Sequence, residues 1–230
     1  MSDLGQASKE AIRLILSADE EIIAIVSASL RFSLSSTVLA SVIGIPAGVA
    51  LANAHFRFKR FLEDILNTLL AVPTVVVWLF VYTLIFSKGP LGEFQLLFTP
   101  AAIIIGQTVL ILPLVTSLAC SAVSVVSPIV RETAFTLGAG RSRIILTVAS
   151  EARAALFVAC ITGFGRVIGE VGISLILGGN ISGYTRTITT AISLQTSKGE
   201  FALGLALGMI LLFAAFGVNI AARLLGSKSS

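Results

Sequence analysis

The chain has 230 residues, of which 56% are hydrophobic and only 12% are charged, and its formal net charge at pH 7 is +4. Soluble domains carry about 25% charged residues, so this composition excludes a water-soluble globular protein. The basic residues lie in short segments between apolar runs, which is typical of membrane topology and argues against a nucleic-acid-binding surface.

Five apolar runs reach the roughly 20 residues that an α-helix needs to cross a bilayer. They predict an all-α integral membrane protein whose single transmembrane domain covers residues 22–225. Residues 1–21 hold no continuous apolar core and are expected to form an external segment, not a secretory signal, and residues 226–230 a cytoplasmic tail. The predicted spans lie within Ile22–Asn53 and over Phe61–Phe86, Pro100–Val126, Ala154–Leu177 and Phe201–Leu225.

The basic residues predict the orientation of these spans. Under the five-span arrangement, one set of loops carries nine basic residues, namely Arg57, Lys59, Arg60, Arg131, Arg141, Arg143, Arg153, Arg223 and Lys228. The other set carries five, namely Lys9, Arg13, Lys88, Arg186 and Lys198. Cytoplasmic loops are enriched in Lys and Arg, so the amino terminus is expected outside and the carboxyl terminus inside.

Proline lies within the first three predicted spans, and glycine is frequent in the last two. Pro46, Pro73 and Pro113 each remove a helical hydrogen bond, which suits bent helices around a cavity, although ordinary kinking explains each proline equally well. Glycines recur in the last two spans, where they are expected to allow close packing of helix backbones: Gly163, Gly165, Gly169, Gly172, Gly204, Gly208 and Gly217.

The loop 127–153 follows the third span on the predicted cytoplasmic side. Its first part predicts a short helix that begins near Pro128, with Glu132 at the positive end of the helix dipole and a left-handed cap at Gly138 or Gly140. A second helical stretch is expected through 144–152. Such a helix outside the bilayer could be a simple interfacial helix.

The fourth span contains two charged residues, Arg166 and Glu170. Charges in a bilayer are expensive, so these side chains, four residues apart on one helix face, are expected to pair and to face the protein interior. Two interpretations stand equally: a paired strut that holds helices together, and a group that lines a transport route.

The external segment 180–199 is rich in hydroxyl groups and carries Arg186. Such groups are able to donate hydrogen bonds to an oxyanion, but a solvated gate loop that contacts a partner protein explains the same composition and is preferred. The hydroxyl-bearing residues are Ser182, Tyr184, Thr185, Thr187, Thr189 and Thr190.

Several kinds of site are not expected in this chain. It contains no phosphate-binding loop, so an ATP-hydrolysing motor would have to be another polypeptide, and the chain by itself is not an enzyme. His55 is the only histidine, and Cys120 and Cys160 lie in apolar segments, where they are expected to pack as small hydrophobes. No cofactor and no metal site are therefore predicted.

The loop 127–153 resembles the docking loop of the binding-protein-dependent ABC importer permeases. That family carries a Glu-Ala-Ala, three residues, Gly motif, followed later by an Ile-x-Leu-Pro ending. Here Thr133 replaces the middle alanine, and Val148-Ala-Ser-Glu151 stands in place of the ending. The resemblance implies contact with an ATP-binding subunit through Glu132, Thr133, Ala134, Gly138, Ala139 and Gly140.

The fourth-span run 165–172, with Leu177-Gly-Gly-Asn180 after it, is similar to the oxyanion branch of these permeases, which imports molybdate, sulfate or tungstate. Taken over residues 22–225, the chain resembles the tungstate permeases most. This implies a type I importer fold of the MetI-like kind. It also implies a translocation path or gate that involves Arg166, Glu170, Asn180, Thr185, Arg186 and Thr187.

The same resemblance implies the partners. They are a second copy of the chain, two ATP-binding subunits and an external tungstate-binding protein, all at the plasma membrane of a prokaryote and in contact with its lipid. A molybdate or sulfate permease is the alternative within the family. A passive channel or secondary transporter would have no need of the docking helix, and a membrane enzyme would need convergent His, Asp or Cys residues that the chain does not show.

Overall fold

The fold is that of a computed structural model, which describes residues 20–54 and 57–226, without the side chains of 127, 129 and 221–226. Residues 1–19 and 227–230, which make up nearly all of the predicted amino-terminal segment and tail, lie outside the described residues, as does His55. All regular structure in the described part is helical. The predicted all-α class is confirmed.

The helices have the following bounds. They are α1 Glu20–Asn53, α2 Lys59–Leu70, α3 Thr74–Ile85, α4 Pro100–Thr136, α5 Arg141–Glu151, α6 Arg153–Ile168, α7 Gly172–Gly178, α8 Ile188–Lys198 and α9 Phe201–Gly226, with a 3-10 turn at Gly92–Phe94.

Membrane spans follow from the length and apolarity of these helices. Among the described residues, three segments qualify individually: Glu20–Asn53, Pro100–Val126 and Phe201–Ile220. The pairs α2–α3 and α5–α6 qualify only together, and each pair is bent by more than 40° at a short break. By length and composition, the described part of the chain thus has three helices that could cross a membrane, or up to five spans if each bent pair crosses once.

The predicted continuous second span, Phe61–Phe86, is wrong at its centre. Helix α2 ends at Leu70, and Pro73 is extended, with φ −58° and ψ 139°, at the start of α3. Proline disfavours the helical conformation of the residue before it and lacks an N–H group, so Val72 and Pro73 interrupt the helix where a bend within one helix was expected.

The predicted fourth span, Ala154–Leu177, is also interrupted. Helix α6 ends at Ile168 and α7 begins at Gly172, so residues 169–171 form a break. Glycine on each side of Glu170 lowers the helical preference of this stretch. Glu170 therefore lies outside the helix on which it was predicted.

Helix α4 is longer than the third predicted span. It runs without interruption from Pro100 to Thr136 and contains both Pro113 and Pro128. Its 37 residues make about 55 Å of helix, against about 30 Å of hydrocarbon. The residues of the predicted docking motif therefore begin in the last turns of this helix, and the expected separate helix beginning near Pro128 does not form.

The described residues divide into two compact units. The first comprises 20–36, 73–107 and 165–217. In its core, Ile22 and Ile25 of α1 pack with Leu207 of α9 and with α8. Helix α4 and α7 approach closely in the same unit, because a Cβ on Gly106 would lie 2.7 Å from Ile173 Cγ2.

The second unit comprises 37–72, 108–164 and 218–226. Its core contains Ala119 and Val123 of α4, the end of α1, and parts of α5 and α6. At Gly48, a Cβ would lie only 2.5 Å from the Thr116 carbonyl oxygen, so α1 and α4 pack backbone to backbone there.

The expected close packing at glycines holds for part of the set. A Cβ on Gly163 would meet Val115 Cγ2 at 3.1 Å. Among the described residues, nothing lies within 4 Å of such a Cβ on Gly169, Gly208 or Gly217. The expectation is therefore wrong for these three positions within a single chain.

Candidate functional site

Residues 132–140, which hold the predicted ATPase-docking motif and are called the coupling segment below, contain the end of helix α4. The Ala139 N–H donates to the Ala134 carbonyl at 3.0 Å and the Gly138 N–H to the Phe135 carbonyl at 3.0 Å, the two bonds of a Schellman motif. Gly138 has φ +77°, so the predicted left-handed cap is confirmed there. Gly140 is extended, with φ −69° and ψ 160°, and is the N-cap residue that precedes α5.

Contacts with α1 fix the base of the coupling segment. Arg131 donates through Nη2 to Asn53 Oδ1, and the Asn53 amide donates in turn to the Val49 carbonyl at 2.8 Å. Asn53 is buried, with 8% of its surface exposed. Lys59 donates to the Ala52 carbonyl at 3.0 Å and so satisfies an orphan group at the end of α1.

A cavity of about 450 Å³ lies beside this contact. Its walls are Asn53, Arg131, Glu132, Phe135, Ala139, Arg141, Ile144 and Ile145. Of the six predicted docking residues it thus takes in Glu132 and Ala139. Glu132, Thr133, Gly138 and Gly140 are exposed and Ala134 is half-buried.

Large apolar side chains of the coupling segment and of the following helix α5 are exposed. The exposed fractions are 73% for Phe135, 81% for Leu137 and 70% for Leu146. A concentration of exposed apolar groups next to charged ones is typical of a protein-binding surface. The coupling segment and these side chains together can dock a partner protein.

The break in the fourth span is organised around Glu170, which is 6% exposed. One carboxylate oxygen accepts from Arg166 Nη1 at 3.2 Å, and the other accepts from the Gly172 N–H at 3.1 Å. The predicted ion pair is confirmed, although only Arg166 is helical. The Arg166 side chain remains 46% exposed, so its guanidinium can also contact another group.

Two residues outside the predicted path or gate set complete this region. Thr189 donates from its hydroxyl to the Glu170 carbonyl at 2.9 Å. The indole of Trp78 flanks Gly172, with its Nε1 at 3.5 Å from the position of an added Cβ. Trp78 is the chain's single tryptophan, which is a weak signal, whereas nothing in the sequence distinguishes Thr189 from the threonines around it.

The expected solvated loop at 180–199 is wrong for most of its threonines. Thr185, Thr187, Thr189 and Thr190 are buried, and residues 188–198 form α8. Thr185 donates to the Gly178 carbonyl at 2.5 Å, and Thr187 forms a capping box with Thr190 at the start of α8. The Thr187 and Thr190 hydroxyls satisfy backbone N–H groups at the start of α8, which have no partner within the helix. The Thr185 hydroxyl closes the turn that follows α7.

Arg186 and Asn180 are the remaining predicted gate residues. Arg186 pairs with Glu21 of α1 at 2.9 Å, while its Nε is buried without a hydrogen-bond partner in the described part of the chain. Asn180 adopts φ +52°, and its Oδ1 is likewise buried without such a partner. Ser29 of α1 also accepts from the Ile188 N–H at 2.7 Å, so α1 is tied to this region at two points.

The structure thus groups the predicted residues into two sites. Glu132, Ala139 and their neighbours lie around the cavity of the second unit, and Arg166, Glu170 and Thr187 lie in the first unit, where Thr189 links Glu170 to Thr187. Among the described residues, no group of three or more His, Cys, Asp or Glu side chains is placed to hold a metal ion.

Comparison with known proteins gives consistent similarities. Residues 44–230 match the family described as binding-protein-dependent transport system inner membrane component. The chain is 37% identical to a tungstate uptake system permease protein of Peptoclostridium acidaminophilum, over 95% of this chain and 96% of that protein. It is 43% identical to a protein of the same description from Campylobacter jejuni, over 92% and 88% of the two chains.

More distant relatives show a different substrate name and the same fold. A molybdenum transport system permease protein of Azotobacter vinelandii is 30% identical over 84% of this chain and 89% of its own. A chain of the MetNI methionine ABC transporter, in an inward-facing conformation, superimposes with a TM-score of 0.72 at 17% identity, over 91% and 96% of the two chains. This likeness shows the fold alone.

Proposed function

The chain belongs to the family of binding-protein-dependent transport system inner membrane components, and on that premise we propose that it carries tungstate inward. In this proposal it is the membrane-spanning permease subunit of an ABC importer. The energy comes from ATP that a separate subunit hydrolyses, so the chain itself carries no catalytic residues.

One observation carries the choice of substrate. The two relatives described as tungstate permeases are 37% and 43% identical over at least 92% of the chain, whereas the Azotobacter molybdenum permease is 30% identical over 84%. Molybdate is the second candidate because that more distant relative is named for molybdenum. Sulfate remains the third substrate class of this branch.

The coupling segment supports the assignment of the ATPase as a partner. A rigid Schellman cap presents Glu132 and Ala139 beside a cavity, and Arg131 fastens the segment to α1. Closure of an ATPase dimer against Glu132, Thr133, Ala134, Gly138, Ala139 and Gly140 would then move α1 and α4 together. This geometry suits a lever better than a simple interfacial helix.

The further partners complete the importer. Up to five spans make half of a pathway, so two copies of the chain surround the route, with two ATP-binding subunits on the side of the coupling segment. An external tungstate-binding protein delivers the anion, and the complex lies in a prokaryotic plasma membrane with the amino terminus outside.

Arg166 is the residue best suited to meet the anion on its route. Its guanidinium is half exposed and keeps donors free beyond the bond to Glu170, and Glu170 offsets its charge. A dianion is thereby attracted but not held tightly, as release requires. Asn180 and Arg186 are proposed to act at the external gate, where Arg186 pairs with Glu21 of α1. Thr185 and Thr187 shape this gate from inside through their turn and cap hydrogen bonds.

The test is reconstitution of the complete complex in liposomes with the partner ATPase and the cognate binding protein. Tungstate-loaded binding protein should raise ATP hydrolysis and drive uptake that stops without ATP. Uptake that persists without ATP would instead favour a passive channel or secondary transporter.

Calorimetry of the binding protein with tungstate, molybdate and sulfate separates the substrates. Tightest binding of tungstate is expected. Tightest binding of molybdate or sulfate would overturn the substrate while leaving the permease role in place.

A further inference from the structure

A polar crevice of about 280 Å³ lies between α2 and α4 in the second unit. It is distinct from the coupling cavity and from the Arg166–Glu170 pair. Its walls are Glu63, Leu66, Asn67, Ser117, Cys120, Ser121 and Ser124. Carboxylate, amide and hydroxyl groups therefore dominate a space whose walls belong to predicted membrane spans.

The α4 wall places its hydroxyl groups on one helical face. Ser117, Ser121 and Ser124 are separated by four and three residues, the spacing of neighbours along a helix. The apolar part of α4 ends at Val126, and Ser117 is nine positions earlier, which is about 14 Å along the axis. The crevice thus reaches roughly half the depth of a 30 Å hydrocarbon core, from the side of the coupling segment.

The α2 wall carries a charge that is compensated locally. Glu63 pairs with Lys59 on the same helix at 3.9 Å, and their side chains are 37% and 28% exposed. Asn67 lies one further turn along. The Cys120 thiol points to the Glu63 carboxylate, with 4.0 Å between Sγ and Oε1.

Polar groups in this number are unfavourable against lipid, and they face either water or another polar surface. A water molecule occupies about 30 Å³ in the liquid, so the crevice has room for several. Hydroxyl and amide groups bind an oxyanion weakly and without net charge, which suits passage more than storage.

We infer that this crevice is a hydrated part of the translocation route, in which Ser117, Ser121, Ser124 and Asn67 hydrogen-bond the oxyanion in transit. The inference rests on the proposed function, since it assigns residues to the same route. The rival occupant is a polar surface of a second copy, which would seal the crevice from water.

Cys120 provides a native reporter of water and anion access. The chain has two cysteines, and Cys160 serves as the internal control because it is outside the crevice, where its Sγ accepts from Ser41 Oγ at 3.3 Å. The complete complex in liposomes is treated with the small anionic reagent sulfonatoethyl methanethiosulfonate. Peptide mass analysis then reads modification at each cysteine.

Cys120 is buried, with 7% of its surface exposed, and Cys160 is half-buried, so burial alone predicts faster modification of Cys160. Water in the crevice predicts instead that Cys120 reacts at least as fast as Cys160, and modification of Cys120 should lower ATP-driven uptake at least fivefold. Two results would overturn the inference. In the first, Cys120 reacts only after the protein is unfolded in detergent, as a sealed interface predicts. In the second, Cys120 is modified but uptake is unchanged. Cys160→Ser, which leaves Cys120 as the single thiol, should keep the effect.

A second experiment replaces the hydroxyl groups. The triple variant Ser117→Ala, Ser121→Ala and Ser124→Ala should lower uptake at least fivefold while the binding protein still stimulates ATP hydrolysis. The matched control is Ser197→Ala, an exposed serine of α8 whose hydroxyl bonds its own helix. A triple variant that transports normally contradicts the inference.

The unmodified complex separates this inference from the proposed function. If it fails to move tungstate with ATP but moves another oxyanion, the proposed substrate fails and the crevice is tested with the anion that does move. If it moves tungstate and Cys120 is inaccessible, only the crevice assignment fails.

Discussion

Glu170 is a buried carboxylate in a break between two helices, and three contacts hold it there. Its side chain accepts from Arg166 and from the Gly172 N–H, while its carbonyl accepts from Thr189. The carboxylate thus both caps the start of α7 and offsets the charge of Arg166. A residue with two such roles is expected to respond differently to loss of charge and to loss of the whole side chain.

Replacing Glu170 separates these roles. Glu170→Gln keeps an oxygen for the Gly172 N–H but removes the counter-charge of Arg166, so the dianion should be held longer and maximal uptake should fall at least fivefold. Glu170→Ala also removes the cap and a charge-assisted hydrogen bond, a loss of about 1.5–3 kcal/mol, which a lower apparent melting temperature would reveal.

Glu200→Gln is the matched control for Glu170 because Glu200 is exposed in the same unit. Glu200→Gln should leave both maximal uptake and the apparent melting temperature unchanged. Equal stability and normal uptake of Glu170→Gln and Glu170→Ala would contradict both roles.

Gly138 holds a conformation that other residues adopt at a cost. Nothing lies within 4 Å of an added Cβ there, so the φ of +77° is the single source of strain on substitution. Gly138→Ala should therefore destabilise the end of α4 by about 1 kcal/mol, which corresponds to about fivefold faster tryptic cleavage near Arg131 and Arg141.

Gly140 provides the control for this prediction, since its φ is −69° and Gly140→Ala adds no strain. Gly138→Asn should lie between the two, because asparagine tolerates the left-handed region better than alanine. Equal cleavage rates in Gly138→Ala and Gly140→Ala would show that the cap does not stabilise the coupling segment.

At the scale of elements, hydrogen bonds connect the end of α1 to α4 and to α2, and this group of contacts is called the α1 joint. Arg131 of α4 donates to Asn53 of α1, and Lys59 of α2 donates to the Ala52 carbonyl. A buried amide that accepts from a guanidinium is directional, so it fixes orientation as well as distance. We expect this joint to carry motion from the coupling segment to α1.

Asn53→Ala should break the joint without removing a large side chain. Stimulation of ATP hydrolysis by loaded binding protein should fall several-fold, while basal hydrolysis and the amount of assembled complex stay near normal. Asn53→Asp should restore stimulation, because a carboxylate accepts from Arg131 more strongly than an amide does. If the alanine variant is fully stimulated, α1 is not driven through this contact.

At the scale of the whole molecule, the proposed function requires that events at the coupling segment reach the transport route. Glu132→Arg combined with Gly138→Arg places bulky cations on the docking surface. The folded chain should still enter the membrane, but ATP hydrolysis should no longer drive uptake, as measured by the ratio of tungstate moved to ATP hydrolysed.

The control for this pair is Glu151→Arg combined with Ser150→Arg. Both residues are exposed at the end of α5, so the same charges are added outside the docking motif, and the ratio of tungstate moved to ATP hydrolysed should stay near normal. A normal ratio in the Glu132 and Gly138 variant would overturn the proposed docking surface.

The sequence predicted the fold class and the apolar segments well because bilayer thickness imposes a length that hydropathy reveals directly. Local rules also succeeded where one residue decides: Gly138 as a left-handed cap, and Arg166 with Glu170 as an ion pair. They failed at Val72 and at 169–171, where proline and glycine broke helices that apolarity alone made continuous.

The sequence by itself determined that the chain lies in a membrane and that two charges within the fourth span pair with each other, whereas the docking motif stays a prediction. Only the tertiary structure decided which polar groups form hydrogen bonds within the protein. Thr185 and Thr187 form the hydrogen bonds of a turn and of a helix cap, whereas Ser117, Ser121 and Ser124 of α4 line an open crevice. The physical reason is that hydrogen-bond partners far apart in the chain are chosen by packing. Composition fixes how many polar groups exist, and packing fixes which of them remain available to an anion.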